Sequence, residues 1–220
     1  HSKWLKNNII LWGILSNFNN YGEWFMKYNE EIVKSVSGEY DEEKMHGIDR
    51  RYLLKININK KHSNKSILFI MMNPSEANDE QSDTTIQKAI NYVFTNKCRN
   101  QLLSECNTIN IVNAYVVYTK NPEEVTNMIK QYGEDYVCGN EDNNRRNDKI
   151  IKEQIEKNDV IIFACGKGDI ENYESRIKHL KNILKNSTKT IYSVGELTQD
   201  GFPRHMSRVD YKLDLTEMQV

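Results

Sequence analysis

Residues Ser66-Ile67-Leu68-Phe69-Ile70-Met71-Met72-Asn73-Pro74-Ser75 begin as an apolar run without polar alternation and stop abruptly at Asn-Pro-Ser. A short continuous apolar run reads as a strand covered on both faces, as in the parallel sheets of α/β proteins. Pro74 has no N–H to give a sheet ladder, so the strand is expected to end near Asn73. Ligands of open α/β sheets bind just beyond the carboxyl ends of the strands, which makes Asn73, Pro74 and Ser75 the first candidates for a site.

Outward from this run, strands and helices alternate. Arg51–Ile58 reads as a strand, and residues 60–65 as a turn. Asp83-Thr84-Thr85 opens a helix to about Thr95, with Asp83 at the N-cap. A strand follows over Thr108–Asn113, and Asn121-Pro122 starts another helix. Residues 147–157 predict a helix, Asp159–Gly166 a strand, residues 170–186 a helix and Thr190–Gly195 a last core strand. The pattern predicts an α/β fold, a three-layer α/β/α sandwich around a mostly parallel sheet, over residues 50–220. Residues 1–49 read as a separate N-terminal helical extension and linker. Trp12, Leu15, Phe18, Trp24, Phe25 and Ile32 recur there at near-helical spacing, and residues 36–49 are polar. Packing on the main domain is the simplest role for these aromatics. The Trp4, Trp12, Trp24 region is also the place for a protein partner or self-association.

Composition narrows the function classes. With 38% hydrophobic residues among 220, a sizeable core is possible. The net charge of −1 provides no global attraction for nucleic acid, so any such contact needs a local patch. Arg50-Arg51, Lys60-Lys61-His62, Arg145-Arg146 and Arg204-His205 with Arg208 are the basic clusters, each read first as solvated surface. Cys98, Cys106, Cys138 and Cys165 form no C-x-x-C pair, so no zinc site and no other metal is expected. Together with the lack of a secretory signal, they predict reduced, mostly buried thiols in a cytoplasmic protein. His1-Ser2 reads as a tag remnant, and no apolar run is long enough for a membrane helix. Gly166-Lys167-Gly168 lacks the remainder of a phosphate-loop pattern, and no nucleophile elbow is present. No cofactor is expected.

Four strand ends converge in such a sheet: Asn73, Asn113, Cys165-Gly166 and the segment after Gly195. The polar groups available there include Ser75, Asp83, Asp200, Arg204 and His205. Asn73 has a neutral amide that either caps the turn or orients a water or carbonyl; it cannot act as a base. Asp83 is read first as a helix cap. Asn113, at an apolar strand end, needs a partner from backbone or substrate. Asp200-Gly201 is a turn signal. Arg204-His205 could stabilise an anion or bind phosphate.

Several blocks together resemble the bacterial and phage domain-of-unknown-function family 1643. They are Arg51-Tyr52-Leu53-Leu54, Leu68 to Ala77, Asp83-Thr84-Thr85-Ile86, Val112-Asn113-Ala114-Tyr115, Asn121-Pro122, Asn147-Asp148 and Leu197 to His205. Two departures stand out. Cys165-Gly166 replaces the family's usual Trp-Gly. In its Gly-His-Pro-Arg-His-Pro loop, Phe202 replaces the first His and Met206 the last Pro, so His205 is the surviving imidazole.

A looser resemblance is to the uracil-DNA glycosylase superfamily. It implies that Asn73 positions the attacking water, Asn113 reads the base edge, His205 stabilises the departing base anion and Arg204 holds a phosphate. Asp83 would join Asn73 and His205 in catalysis. Pro74, Ser75, Gly166, Asp200 and Gly201 would complete the binding surface. The expected function is N-glycosidic hydrolysis of a nucleotide, nucleoside or DNA base. The alternative is a non-catalytic nucleotide- or partner-binding module, such as a phage or defence accessory protein.

Overall fold

The computed structural model describes residues 16–18, 24–59, 64–119, 121–141 and 145–220. Along the chain lie β1 (Ser16–Phe18), β2 (Trp24–Lys27), β3 (Val33–Tyr40), β4 (Arg51–Ile58), β5 (Lys65–Met71) and β6 (Gln81–Ser82). Then come α1 (Thr84–Asn96), α2 (Gln101–Ser104), β7 (Cys106–Asn113), α3 (Pro122–Tyr132), α4 (Glu134–Cys138) and α5 (Arg146–Lys157). β8 (Val160–Phe163), α6 (Tyr173–Lys185), β9 (Ile191–Val194), a 3-10 turn at Met206–Arg208 and β10 (Leu215–Glu217) complete the series.

A seven-stranded sheet in the order β10-β9-β8-β5-β7-β4-β3 dominates this mixed α/β fold. The quoted apolar run is β5, at the centre, between β7 and β8. Ile67 to Met71 are each no more than 2% exposed. Leu68 and Ile70 join a core built with α3 to α6, while Ile67, Phe69 and Met71 join one built with α1 and α2. Both faces of the strand are therefore buried against apolar partners, which is why its sequence does not alternate.

The sheet is mixed rather than mostly parallel. β7, β5, β8 and β9 run parallel, but β10–β9, β7–β4 and β4–β3 pair antiparallel. Helical crossovers accompany the parallel strands. β5 leads to β7 through α1 and α2, and β8 to β9 through α6, whereas β3 to β4 and β9 to β10 are joined without an α-helix. A crossover between parallel strands needs a dozen or more residues, usually including a helix.

The helical reading of the N-terminal segment is corrected where it is described. Phe18 lies in β1, Trp24 and Phe25 in β2, and β2 is held between β1 and β6 in a small antiparallel sheet. Cross-strand pairing overrides a 3.6-residue spacing that was only approximate. Within the expected linker, Val33–Tyr40 forms the edge strand of the main sheet. Its sequence is polar because it pairs with β4 on one side only and is mostly unburied. Trp4 and Trp12, the centre of the expected partner surface, lie outside the described residues. Among the described residues no helix is long and apolar enough to cross a membrane.

Candidate functional site

The turn after β5 is built around Asp83. This residue caps α1, its Oδ1 accepting from the N–H groups of Thr85 (2.8 Å) and Ile86 (2.9 Å). Its Oδ2 accepts from the Ser75 hydroxyl and from the Ala77 N–H (3.2 Å). Two donors on each oxygen leave the carboxylate with its acceptor sites occupied. Asp83 thus ties Ser75 to the start of α1. Asn73 is fixed from the other side: Nδ2 donates to the carbonyls of Pro74 and Thr119, and the Thr119 N–H donates to Pro74 O (3.1 Å). Its Oδ1 has no hydrogen-bond partner among the described residues.

Asn113 ends β7 and is 1% exposed. Its Oδ1 lies 3.4 Å from Nη2 of Arg51, and its backbone carbonyl accepts from Nδ2 of Asn147 (3.1 Å). Arg51 also donates through Nη1 to Ala77 O, which accepts from the Tyr118 hydroxyl as well (3.2 Å). Arg51 opens β4, which runs antiparallel to β7 and so begins at the carboxyl end of the parallel strands. Read as surface in the sequence, it is 1% exposed; Arg50 beside it is 3% exposed. The clue was position: two arginines opening an apolar strand cannot both face water when its ends are buried.

Gly166 follows β8 with φ +72°, and a Cβ there would lie 2.7 Å from the Cβ of His205. This closes the loop after β9 onto the end of β8. Lys167 Nζ reaches Asp200 Oδ2 at 3.0 Å across the same gap, on the surface. The Thr198–Phe202 turn is closed by Gly201 N–H donating to Thr198 O (2.8 Å), with Gly201 at φ +75°. Phe202, standing where the family usually has His, stacks on Tyr173 at 6.1 Å between ring centroids. The Tyr173 hydroxyl donates to Gly166 O (2.7 Å).

His205 Nδ1 accepts from the Ser207 N–H (3.3 Å) and lies 2.8 Å from its hydroxyl oxygen. An Nδ1 that accepts from a backbone N–H leaves the ring proton on Nε2. Burial pushes the imidazole below its usual 6.5; Arg208 adds to this and Asp83 partly opposes it. The ring is neutral near pH 7 and its Nε2–H has no partner among the described residues. Arg204 is half-buried, with its Nε buried and unpartnered.

The blocks that converge here, Arg51, the Asn73–Ala77 turn, Asp83, Asn113, Gly166 and the loop to His205, fall within one family model. It is described as "Protein of unknown function (DUF1643)" and matches residues 51–205. The chain belongs to the DUF1643 family. No curated protein and no solved structure matches it.

Asn147-Asp148 is another block of this DUF1643 chain, and its place was not evident from sequence. Asp148, 2% exposed, accepts from Arg176 Nη1 (2.7 Å), from Nε and Nη2 of Arg145 (3.2 and 3.1 Å), and meets His179 Nε2 at 2.8 Å. Burial pushes the carboxyl up, but the Arg176 guanidinium, with Asn140 and His179, overrides it and holds the group far below the usual carboxylate range. Arg176 Nε donates to Ala114 O (2.9 Å). Asn147 and Arg176 thereby fix two successive carbonyls, those of Asn113 and Ala114. The network supports the end of β7 from behind the site.

The DUF1643 positions are joined in a chain of contacts rather than gathered around one point. Arg51 and Asn113 meet; Ala77 links Arg51 to Asp83; Asp83 holds Ser75; Gly166 packs on His205. Asn73 is bound to Thr119, and no hydrogen bond among the described residues joins it to Asn113 or His205. A cleft of about 680 Å³ opens beside the turn, lined by residues including Tyr40, Asp49, Glu76, Asn78, Tyr118 and Thr119; Asn73, Asn113 and His205 do not line it. Asp200 and Gly201 are at the surface. Cys106, Cys138 and Cys165 are buried and Cys98 exposed; burial pushes the Cys138 thiol up to about 12 and the Cys165 thiol higher still, so both are inert at neutral pH.

Proposed function

We propose that this chain hydrolyses an N-glycosidic bond in a nucleobase-containing substrate, on a uracil-DNA-glycosylase-like α/β/α sandwich. The observation that carries the reading is the state of His205: neutral, its tautomer set by Ser207, with Nε2–H free to donate. Such a donor stabilises negative charge developing on a departing base without first losing a proton. Asn73 supports the same chemistry. Its amide is locked through Nδ2, leaving Oδ1 as a fixed acceptor that orients a water against the sugar carbon. A strong base is not required where the transition state resembles an oxocarbenium ion. Asp83, already occupied, holds Ser75 and α1 in place. Asn113 reads the base edge and Arg204 holds a phosphate.

The test is release of free base, detected by mass spectrometry, from single- and double-stranded DNA, nucleotides and nucleosides. The wild type is expected to release base, and Asn73→Ala and His205→Gln to lose most of that activity. Base release undiminished in both variants, or none from any substrate, overturns the reading.

One observation favours the second reading, a binding module. The cleft lies beside the turn and excludes Asn73, Asn113 and His205 from its lining. A nucleotide that raises the melting temperature without being cleaved would select this reading.

A further inference from the structure

Three arginines of the described residues are 3% exposed or less: Arg50, Arg51 and Arg176. Two are neutralised by carboxylates. Arg50 pairs with Asp41 and Glu141, and Arg176 with Asp148. Arg51, the most buried, has no carboxylate within ion-pair distance among the described residues. Its contacts are one carbonyl, Ala77 O, one long approach to Asn113 Oδ1 at 3.4 Å, and Tyr118, whose ring centroid lies 5.6 Å from the guanidinium carbon and whose hydroxyl is also a hydrogen-bond partner. Its Nε–H is buried without a partner. Asp83, which shares Ala77 with Arg51, has both oxygens occupied elsewhere.

The rest of the shell is phenolic. Tyr28, Tyr40 and Tyr118 all lie within the electrostatic reach of Arg51, and burial pushes each phenol up, so none supplies negative charge. Their hydroxyls are directed to the 77–79 segment: Tyr118 to Ala77 O, Tyr28 to Asn78 O (2.8 Å) and Tyr40 to Asp79. A buried charge is normally paired, because an isolated one is costly to desolvate. A guanidinium also has five donors in a fixed fork; here Ala77 O, Asn113 Oδ1 and the Tyr118 hydroxyl engage the Nη end, and the Nε–H is left over.

We propose that Arg51 is the anchor of an oxyanion subsite that takes the phosphate of a nucleotide, with the Nε–H and the remaining Nη–H donating. The assignment rests on the nucleobase reading above for its substrate class, but the anion itself is independent of that reading. It places the phosphate next to Asn113 at the end of β7. The residue is a binding group distinct from His205; it takes the phosphate of a mononucleotide, and Arg204, in the loop after β9, is left to a further phosphate of a longer substrate.

Two measurements test it. The first titrates the intact wild-type chain with inorganic phosphate and follows arginine Nε–H resonances by ¹⁵N NMR, with Arg51→Lys identifying the signal. The Arg51 resonance is expected to shift and its exchange with solvent to slow. An unmoved signal overturns the proposal. The second compares a nucleoside with its monophosphate by calorimetry. A charge-assisted contact predicts that the monophosphate binds about ten- to hundredfold more tightly, and that Arg51→Met removes the difference. Equal affinities in the wild type overturn the proposal. The NMR arm needs the variant only for assignment, so the test stands where Arg51→Met does not fold. The two readings separate cleanly. Base release from nucleosides and nucleotides alike, without a phosphate response, leaves the glycosidic reading and removes the subsite. A phosphate response without base release does the reverse.

Discussion

Gly166 and His205 are in such close contact that a Cβ on the first would stand 2.7 Å from the Cβ of the second. Gly166 also sits at φ +72°, in the left-handed region. Gly166→Ala therefore meets two penalties, a disfavoured backbone and a clash with the main segment of the loop. The expected loss is about 1–3 kcal/mol, read from the denaturation midpoint. The His205 ring resonances should move as well, because the loop must shift to admit the methyl group. A variant as stable as the wild type, with unmoved His205 signals, would show that the contact does not hold the loop.

The parts of this arrangement differ in how far sequence revealed them. β5 and β8 were legible as almost unbroken apolar runs, and β4, β7 and β9 by the β-branched and apolar residues that fill the two cores between their polar positions. Asp83 was legible as a cap because capping is local chemistry, read from the three residues that follow. β3 was hidden by its polar edge character, and β10 by its length of three residues. The sense of β3, β4 and β10 is not carried by the strands themselves. Arg51 and Asp148 were quoted as motif residues without a role. Their meaning comes from partners distant in sequence, Asn113 and Ala77 for the first and Arg176 for the second. No spacing rule brings those together.

Asp148 and Arg176 form a buried pair whose removal by halves should be severe. Asp148→Asn leaves the Arg176 guanidinium buried without its counter-charge and is expected to cost roughly 3–5 kcal/mol. The double variant Asp148→Asn with Arg176→Met should be less destabilised than the sum of its parts, since it removes both charges. The carboxyl titrates lower in the fold than its ordinary 3.8. Its contribution is therefore present above that value and lost as pH falls toward the depressed one. Acid unfolding of Asp148→Asn should accordingly show a shallower dependence on pH below about 4. Additive single variants would remove the pair from its role behind Asn113.

Asp83 separates capping from catalysis. Asn caps helices about as well as Asp, but its amide nitrogen cannot accept from the Ala77 N–H, so Asp83→Asn should cost about 1–3 kcal/mol and Asp83→Ala, which leaves all four donors unpaired, more than that. Under the glycosidic reading both should retain base release in proportion to the folded fraction, because the carboxylate is occupied by Ser75, Ala77, Thr85 and Ile86. Thermal melts and base release measured on the same samples decide this. A folded Asp83→Asn variant without activity would make Asp83 a catalytic group.

His205 gives the chain a pH dependence of defined sign. Burial holds its folded pKa below the unfolded 6.5, so the unfolded chain binds more protons between those two values. Stability from this group is complete above about pH 6.5 and declines as pH falls toward the depressed value. The structural reason is visible at Nδ1. Protonation there removes the acceptor for the Ser207 N–H, which opens the 3-10 turn and frees the ring from its fixed orientation. His205→Gln should flatten the stability profile between pH 5 and 7 in equilibrium unfolding. The same titration should lower base release in the wild type on the acid side, because the imidazolium keeps its Nε2–H but loses the orientation that the Ser207 N–H sets at Nδ1. NMR titration of the imidazole gives the folded pKa directly, and a value at or above 6.5 would contradict both expectations.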